Sequence, residues 1–279
     1  MWRRKKAPGP ARWPYRLPAE TGPAEVEHIR RRVEELTAAA QYGWVHTIDF
    51  GPFTKEGVMR DDFLLIAGHW DEWGWWPPSL AGLRVADIGC ATGGLSLLAA
   101  HRGAREVLAV DQIAEHLDQC AFLAQVFGVN TVRTLAASLY DLPGRVESGG
   151  FDLVILSGVL YHLSDMLVGL YIMRELLRTG GVLLIESAAV EDHRRSYANF
   201  GRFAMGMWWQ PTTLCIKDMC EFMGLDRVEV RMFRPDRCLA RAEKTQAGPI
   251  LFRRGLNYPF EDLRDASPRS MDTSRMAPR

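Results

Sequence analysis

The chain lacks the features that would decide its class quickly. It has no excess charge: 34 Lys and Arg residues face 34 Asp and Glu. No global field therefore recruits nucleic acid or an acidic membrane surface, and only a local basic patch could do so. It has five cysteines, Cys90, Cys120, Cys215, Cys220 and Cys238, an odd number with no C-x-x-C pair. That argues against a disulfide frame or a zinc site and for reduced thiols in a cytoplasmic protein. No apolar run approaches the length of a bilayer span. The basic N-terminus leads into Pro and Gly rather than an apolar stretch, so no signal peptide is expected. No G-K-[ST] follows a glycine-rich loop, which excludes a P-loop, and no G-x-G-x-x-G marks a dinucleotide site. No repeat and no metal-ligand cluster is visible.

What is present is an ordinary globular composition, 47% hydrophobic and 24% charged over 279 residues, enough for one large domain with appendages. Residues 1–23 combine Arg3, Arg4, Lys5, Lys6, Arg12 and Arg16 with five prolines. They read as a flexible basic arm, either a solvated tail or a contact for RNA phosphates. Residues 24–82 form a cap. A helix over 24–41 carries Val26, Ile29, Val33 and Leu36 at helical spacing. A strongly aromatic stretch follows, with Phe53, Trp70 and Trp73 among its rings. These rings serve either as packing of the cap on the core or as a wall or cation cage for a substrate.

From residue 83 to 242 strand-like and helix-like segments alternate, the pattern of a doubly wound α/β sheet. Strands are expected near 84–88, 106–110, 131–136, 151–157 and 181–187, and helices near 93–102, 113–127 and 163–178. Strands near 226–233 and 236–242 would close the sheet as an antiparallel hairpin. The link over 188–211 is long and mixes acids, bases and aromatics, as lids and binding segments do. Residues 243–279 read as a flexible tail.

Ligands in such folds sit at the carboxyl ends of the strands, which points first to Val85-Ala86-Asp87-Ile88-Gly89-Cys90-Ala91-Thr92-Gly93-Gly94. A buried strand runs into a glycine-rich turn whose missing Cβ atoms let a ligand approach the backbone, and a helix then points N–H groups back into the turn. Asp111 ends the next strand 22 residues after Gly89, where a carboxylate can accept bonds from ribose hydroxyls.

The D-x-G-x-x-x-G spacing, with Asp111 after it, resembles the cofactor motif of class I S-adenosylmethionine-dependent methyltransferases. The resemblance implies a Rossmann-like seven-stranded sheet with an antiparallel last strand and S-adenosylmethionine as cofactor. It assigns Asp87, Gly89, Cys90, Ala91, Gly93, Asp111, Gln112, Ser138, Leu139 and Ser157 to the cofactor. Ser138 stands where the family often has an acid for the adenine amine. Beyond the fourth strand, Tyr161 and His162 sit where the methyl group would be presented. They and Glu186, at the tip of the fifth strand, are candidates to orient or deprotonate the acceptor. Phe53, Trp70, Trp73, His193, Arg194, Arg202, Trp208 and Trp209 are the expected substrate contacts.

Gly51-Pro52-Phe53, Gly158-Val159-Leu160-Tyr161-His162 and the aromatic-Gln-Pro segment before the last hairpin are similar to the bacterial tRNA wobble-uridine carboxymethyltransferases, which use carboxy-S-adenosylmethionine. Tyr161 matches a tyrosine that helps bind the extra carboxylate in that group. The family lysine before Gly-Pro-Phe is Phe50 here, and His69 to Trp76 contains no lysine. Loss of cations from a carboxylate site weakens it. The expectation is thus ordinary S-adenosylmethionine and a small-molecule acceptor, such as a secondary metabolite or an isoprenoid diphosphate held by His193, Arg194 and Arg195. A tRNA substrate and a non-catalytic cofactor-binding regulator are the alternatives.

Overall fold

The computed structural model describes residues 10–204 and 206–247, without the side chains of residues 202–204. Residues 3–6 of the expected basic arm and most of the expected tail lie outside this range. The described part begins with helix α1 (Pro23–Ala39), a two-stranded ribbon of β1 (Ile48–Asp49) and β2 (Thr54–Lys55), and α2 (Asp62–Glu72). The alternating core follows: β3 (Arg84–Ile88), α3 (Gly94–His101), β4 (Glu106–Asp111), α4 (Ala114–Val126), β5 (Val132–Ala136), β6 (Phe151–Ser157), α5 (Met166–Leu176) and β7 (Leu177–Ala188). A hairpin of β8 (Ala198–Ala204) and β9 (Met207–Pro211) precedes α6 (Thr213–Phe222), β10 (Asp226–Arg234) and β11 (Arg237–Glu243).

Seven strands form one sheet in the order β10-β11-β7-β6-β3-β4-β5. The strands from β5 to β7 run parallel, while β11 is antiparallel to both β7 and β10. This is the Rossmann-like class I methyltransferase arrangement. The buried apolar run of β6 places it beside β3 at the centre, because a strand covered on both faces is apolar throughout. The two edge strands carry exposed arginines, and β10 alternates between half-buried and exposed residues from Asp226 to Met232. The chain winds outward from β3 through β4 to β5, then crosses to β6. The sheet therefore reverses direction between β3 and β6, and a crevice opens at their carboxyl ends.

Each face of the sheet has its own core. One is built on α5 and α6, with Leu170, Ile172, Ile216 and Cys220 buried against β6, β7 and β11. The other is built on α1, α2 and α3 and absorbs the aromatic cap.

Two expectations about the N-terminal region change. Residues 10–22 are extended but packed, not free. Trp13 and Leu17 are buried, Trp13 Nε1 donates to the Asp49 carbonyl at 3.1 Å, and the Tyr15 hydroxyl donates to the Leu97 carbonyl at 2.9 Å. Backbone bonds from Ala11 to Leu64 and from Leu17 to Phe50 fasten the strap.

The aromatic cluster is core rather than a substrate wall. Trp70 is fully buried and stacks on Trp76 with centroids 5.3 Å apart. Phe53 stacks on Phe50 at 4.6 Å. The cations that meet these rings are the chain's own: Arg30 over Phe53, Arg102 over Trp76, and Arg231 between Trp73 and Trp75. Trp70 and Phe53 are thus buried and Trp73 half-buried, each against partners within the chain.

Candidate active site

The turn after β3 is held in shape by β4. Gly89 and Cys90 both donate backbone N–H groups to the Val110 carbonyl, at 2.8 and 3.0 Å. Gly89 adopts φ +76, and a Cβ there would stand 2.3 Å from Val159 Cγ2, so the loops after β3 and β6 touch at this point. Gly93, at φ +82, would place a Cβ 2.3 Å from Cys120 Sγ. Between them Ala91 also has positive φ, 49°. Its N–H donates to Asp111 Oδ2 at 2.9 Å, while the Ile113 N–H donates to Asp111 Oδ1 at 2.9 Å. A carboxylate has about four acceptor sites. Two remain on Asp111, the number a ribose diol requires.

Asp87 lies beneath the loop and accepts the Ser96 hydroxyl at 2.6 Å. Burial pushes its carboxyl up to about 7, with the nearby Asp111 charge adding and the Ser96 bond opposing. Cys90 is a buried thiol beside Cys120, and that contact together with burial raises its pKa. The start of α3 is less open than the sequence suggests. His46 Nδ1 accepts the Gly94 N–H at 3.1 Å, and the His46 N–H donates to Thr92 Oγ1 at 2.9 Å. Burial lowers the His46 pKa to about 4, as a neutral imidazole accepting a backbone N–H requires. No sequence signal in the cap linked His46 to this loop.

Beside Asp111 a cavity of about 460 Å³ is lined by Gln112, Ser138, Asp141 and Arg145 and by Gln41 and Tyr42 of the cap. Leu139 is buried next to it, and Ser138 caps the short turn over Leu139–Asp141. The oriented Asp111, with two acceptor sites left, and this adjoining cavity together fit an adenosine-bearing cofactor, while the glycines make room for Val159 and Cys120. Asp141 and Tyr42 were not foreseen, since both sit in turns with no periodic pattern.

At the tips of β6 and β7 lies a second cluster. Ser157 pairs with Glu186 across the strands. Arg237 donates from Nε to Glu186 Oε1 at 2.6 Å and from Nη2 to Oε2 at 2.7 Å. It also donates to the Tyr161 hydroxyl at 3.2 Å and lies over the Tyr161 ring, 4.6 Å from its centroid. Burial raises the Tyr161 pKa, partly offset by Arg237. Glu186 is therefore not a free base: both oxygens are held by a guanidinium. Arg237 was missed, although an arginine opening the apolar run Cys238-Leu239-Ala240 is an available signal.

His162 is exposed, and its Nδ1 lies 2.5 Å from the Gly206 carbonyl. A carbonyl only accepts, so Nδ1 carries a proton, and in the neutral ring Nε2 is the acceptor. The bond joins the β8–β9 hairpin to the tip of β6. Trp209 Nε1 adds a second tie to the Ser164 carbonyl at 3.0 Å, and Phe200 lies against both Trp208 and Trp209.

The expected lid is thus an ordered aromatic hairpin. His193 contacts Thr213 Oγ1 at 3.2 Å, and Arg195 is paired with Asp192 at 2.8 Å. Arg194 is exposed beside them, with its backbone N–H on Asp192. Arg195 and His193 therefore have protein partners where free phosphate ligands were expected. The Arg202 side chain lies outside the described residues. Among the described residues no group of three His, Cys, Asp or Glu side chains could hold a metal ion.

These features agree with what the chain resembles. The family described as a methyltransferase domain matches residues 79–219, and the chain belongs to that family. It is a methyltransferase domain of the class that draws its methyl group from S-adenosylmethionine. Among curated relatives, the tRNA U34 carboxymethyltransferase of Pseudomonas aeruginosa (strain LESB58) is 32% identical over 177 residues, covering 60% of this chain and 52% of its own. That of Azotobacter vinelandii is 33% identical over 191 residues, covering 65% and 56%. The chain spans about half the length of these relatives. Among solved structures, the [4+2]-cyclase SpnF aligns with a TM-score of 0.56 at 14% identity, covering 83% of this chain and 99% of that one. An S-adenosylmethionine-dependent methyltransferase from Mesorhizobium loti aligns at 0.51 with 18% identity, covering 64% and 99%. At such identities the likeness concerns the fold.

Proposed function

We propose that the chain methylates a small organic acceptor held beneath the β8–β9 hairpin. The observation that carries this reading is the hairpin itself. It presents Phe200, Trp208 and Trp209 and is fastened to the strand tips through His162 and Trp209. Phe200 is exposed and Trp208 and Trp209 are half-buried, and aromatic surface beside the strand tips suits a small planar or apolar ligand.

When bound, S-adenosylmethionine supplies a methyl group on a sulfonium centre that a nucleophile displaces directly. The residues of the chain then have distinct tasks. Asp111 accepts the ribose hydroxyls, and the loop over Gly89, Cys90, Ala91 and Gly93 brings backbone against the ligand. Gln112, Ser138 and Leu139 enclose the adenine end, and Ser157 closes the floor at the tip of β6. Tyr161, fixed by Arg237, forms a rigid wall. His162 offers Nε2 to take a proton from the acceptor, its tautomer set by the Gly206 carbonyl. Holding nucleophile and methyl in line supplies the rest of the acceleration.

A second reading, modification of tRNA, is favoured by the names of the curated relatives and by the cationic Arg237 beside Tyr161, a pairing that would suit a carboxylate. The two are separated by following labelled methyl from S-adenosylmethionine into an organic-soluble extract and into total small RNA. The proposal expects label in the organic pool, reduced at least tenfold by His162→Ala. Label confined to RNA would overturn it, as would transfer that requires carboxy-S-adenosylmethionine.

A further inference from the structure

His116 is unexplained by the fold. It lies in the first turn of α4, is 5% exposed, and neither ring nitrogen has a hydrogen-bond partner. An imidazole stripped of water on both nitrogens destabilises a fold, and an apolar ring of similar shape would remove that penalty. Its surroundings explain why such a group would be kept. Nδ1 stands 3.7 Å from Asp111 Oδ2, just outside hydrogen-bond range. Tyr42, which lines the cavity, lies beside the imidazole with the rings tilted and their centroids 6.4 Å apart.

One helical turn further along the same face, buried Gln119 donates Nε2 to the carbonyls of Leu36 and Gly43, at 3.1 and 3.0 Å. This face of α4 therefore lies beside the carboxylate at the cofactor loop and fastens the cap segment that carries Tyr42. The other charged or titratable neighbours are unsuited to steady Asp111. Asp87 repels it, and His46 has its Nδ1 committed to Gly94.

We propose that His116 is a positioning residue for Asp111. Its Nδ1–H is directed at Oδ2, and it keeps the carboxylate turned so that the two remaining acceptor sites meet the hydroxyls of the cofactor ribose. At 3.7 Å the imidazole acts on Oδ2 without taking one of its acceptor sites, so both remain for the ribose. This inference rests on the reading of Asp111 as the ribose ligand.

The test compares S-adenosylhomocysteine with its 2′-deoxy analogue by calorimetry on the full chain and on His116→Phe and His116→Asn. The wild type should prefer the ribose form by at least tenfold. His116→Phe should shrink that preference below threefold while its melting temperature stays equal or rises. His116→Asn, which keeps an N–H near the Nδ1 position, should restore the preference. A structural role alone would lower stability and both affinities together. An unchanged preference in His116→Phe, or a melting temperature that falls with an equal loss for both ligands, overturns the inference. If the wild type binds S-adenosylhomocysteine but ignores the 2′-hydroxyl, the role given to Asp111 falls, and His116 with it.

Discussion

Arg237→Met tests whether the cluster at the strand tips is a wall or a source of base. The Glu186 side chain is 3% exposed and its arginine partner 19% exposed. Removing the guanidinium leaves two carboxylate oxygens without their donors, and breaking a buried pair from one side costs about 3–5 kcal/mol. The partial exposure of Arg237 lets some water in, so the lower end, about 3 kcal/mol, applies. Against a total stability of about 5–15 kcal/mol, this is a large fraction. With a urea dependence of about 2–3 kcal/mol/M, the unfolding midpoint should fall by about 1–1.5 M.

Glu186→Gln combined with Arg237→Met removes both charges and should recover all but about 1–2 kcal/mol. The double-mutant cycle then isolates a coupling of at least ~1 kcal/mol. Glu186→Gln alone should keep kcat per folded molecule within tenfold, whereas loss of a general base typically removes about 10²–10⁴. An Arg237→Met variant that loses under ~1 kcal/mol would refute the reasoning. So would a Glu186→Gln variant that keeps full stability but loses turnover a hundredfold.

Three other outcomes follow from the same geometry. Between pH 4 and 6.5 His46, with its folded pKa near 4, makes stability rise with pH because the unfolded chain binds the extra proton. Asp87, near 7 when folded, makes it fall because the folded chain holds the proton. These contributions cancel in the wild type over that window. Asp87→Asn should therefore expose a slope of about 1.4 kcal/mol per pH unit, at most about 3 kcal/mol in all, in denaturant titrations at several pH values. Gly93→Ala should destabilise by about 2 kcal/mol or more through the Cys120 contact and its positive φ, and Cys120→Ala should return only part of that in thermal melts. Trp13→Ala should destabilise by about 3 kcal/mol and open residues 10–22 to limited proteolysis, which the packed strap of the wild type should resist.

The alternating core was legible because its physics is local. A buried run such as Phe151–Ser157 can only be a central strand, and Gly89 and Gly93 stand where the turn demands positive φ. The strap over residues 10–22 was misread because its prolines and arginines mask an alternation, Trp13-Pro14-Tyr15-Arg16-Leu17, whose odd positions are the anchored ones. The aromatic cap stood out by composition, yet composition alone does not distinguish packed rings from a ligand wall. That is decided by which arginines of the chain fold over the rings.

The Glu186–Arg237 pair spans 51 positions, and only the antiparallel register of β7 with β11 brings it together. His46 and His116 were invisible for the same reason. Each acquires meaning from a neighbour on another element, Gly94 for one and Asp111 for the other.

The most direct measurement is calorimetric titration of S-adenosylmethionine into the wild type and into Asp111→Ala. The account predicts one site per chain in the wild type and affinity reduced at least tenfold in the variant, with unfolding still cooperative. Binding of equal strength in both, or no binding to a cooperatively folded wild type, would contradict the placement of the cofactor on the loop between β3 and α3.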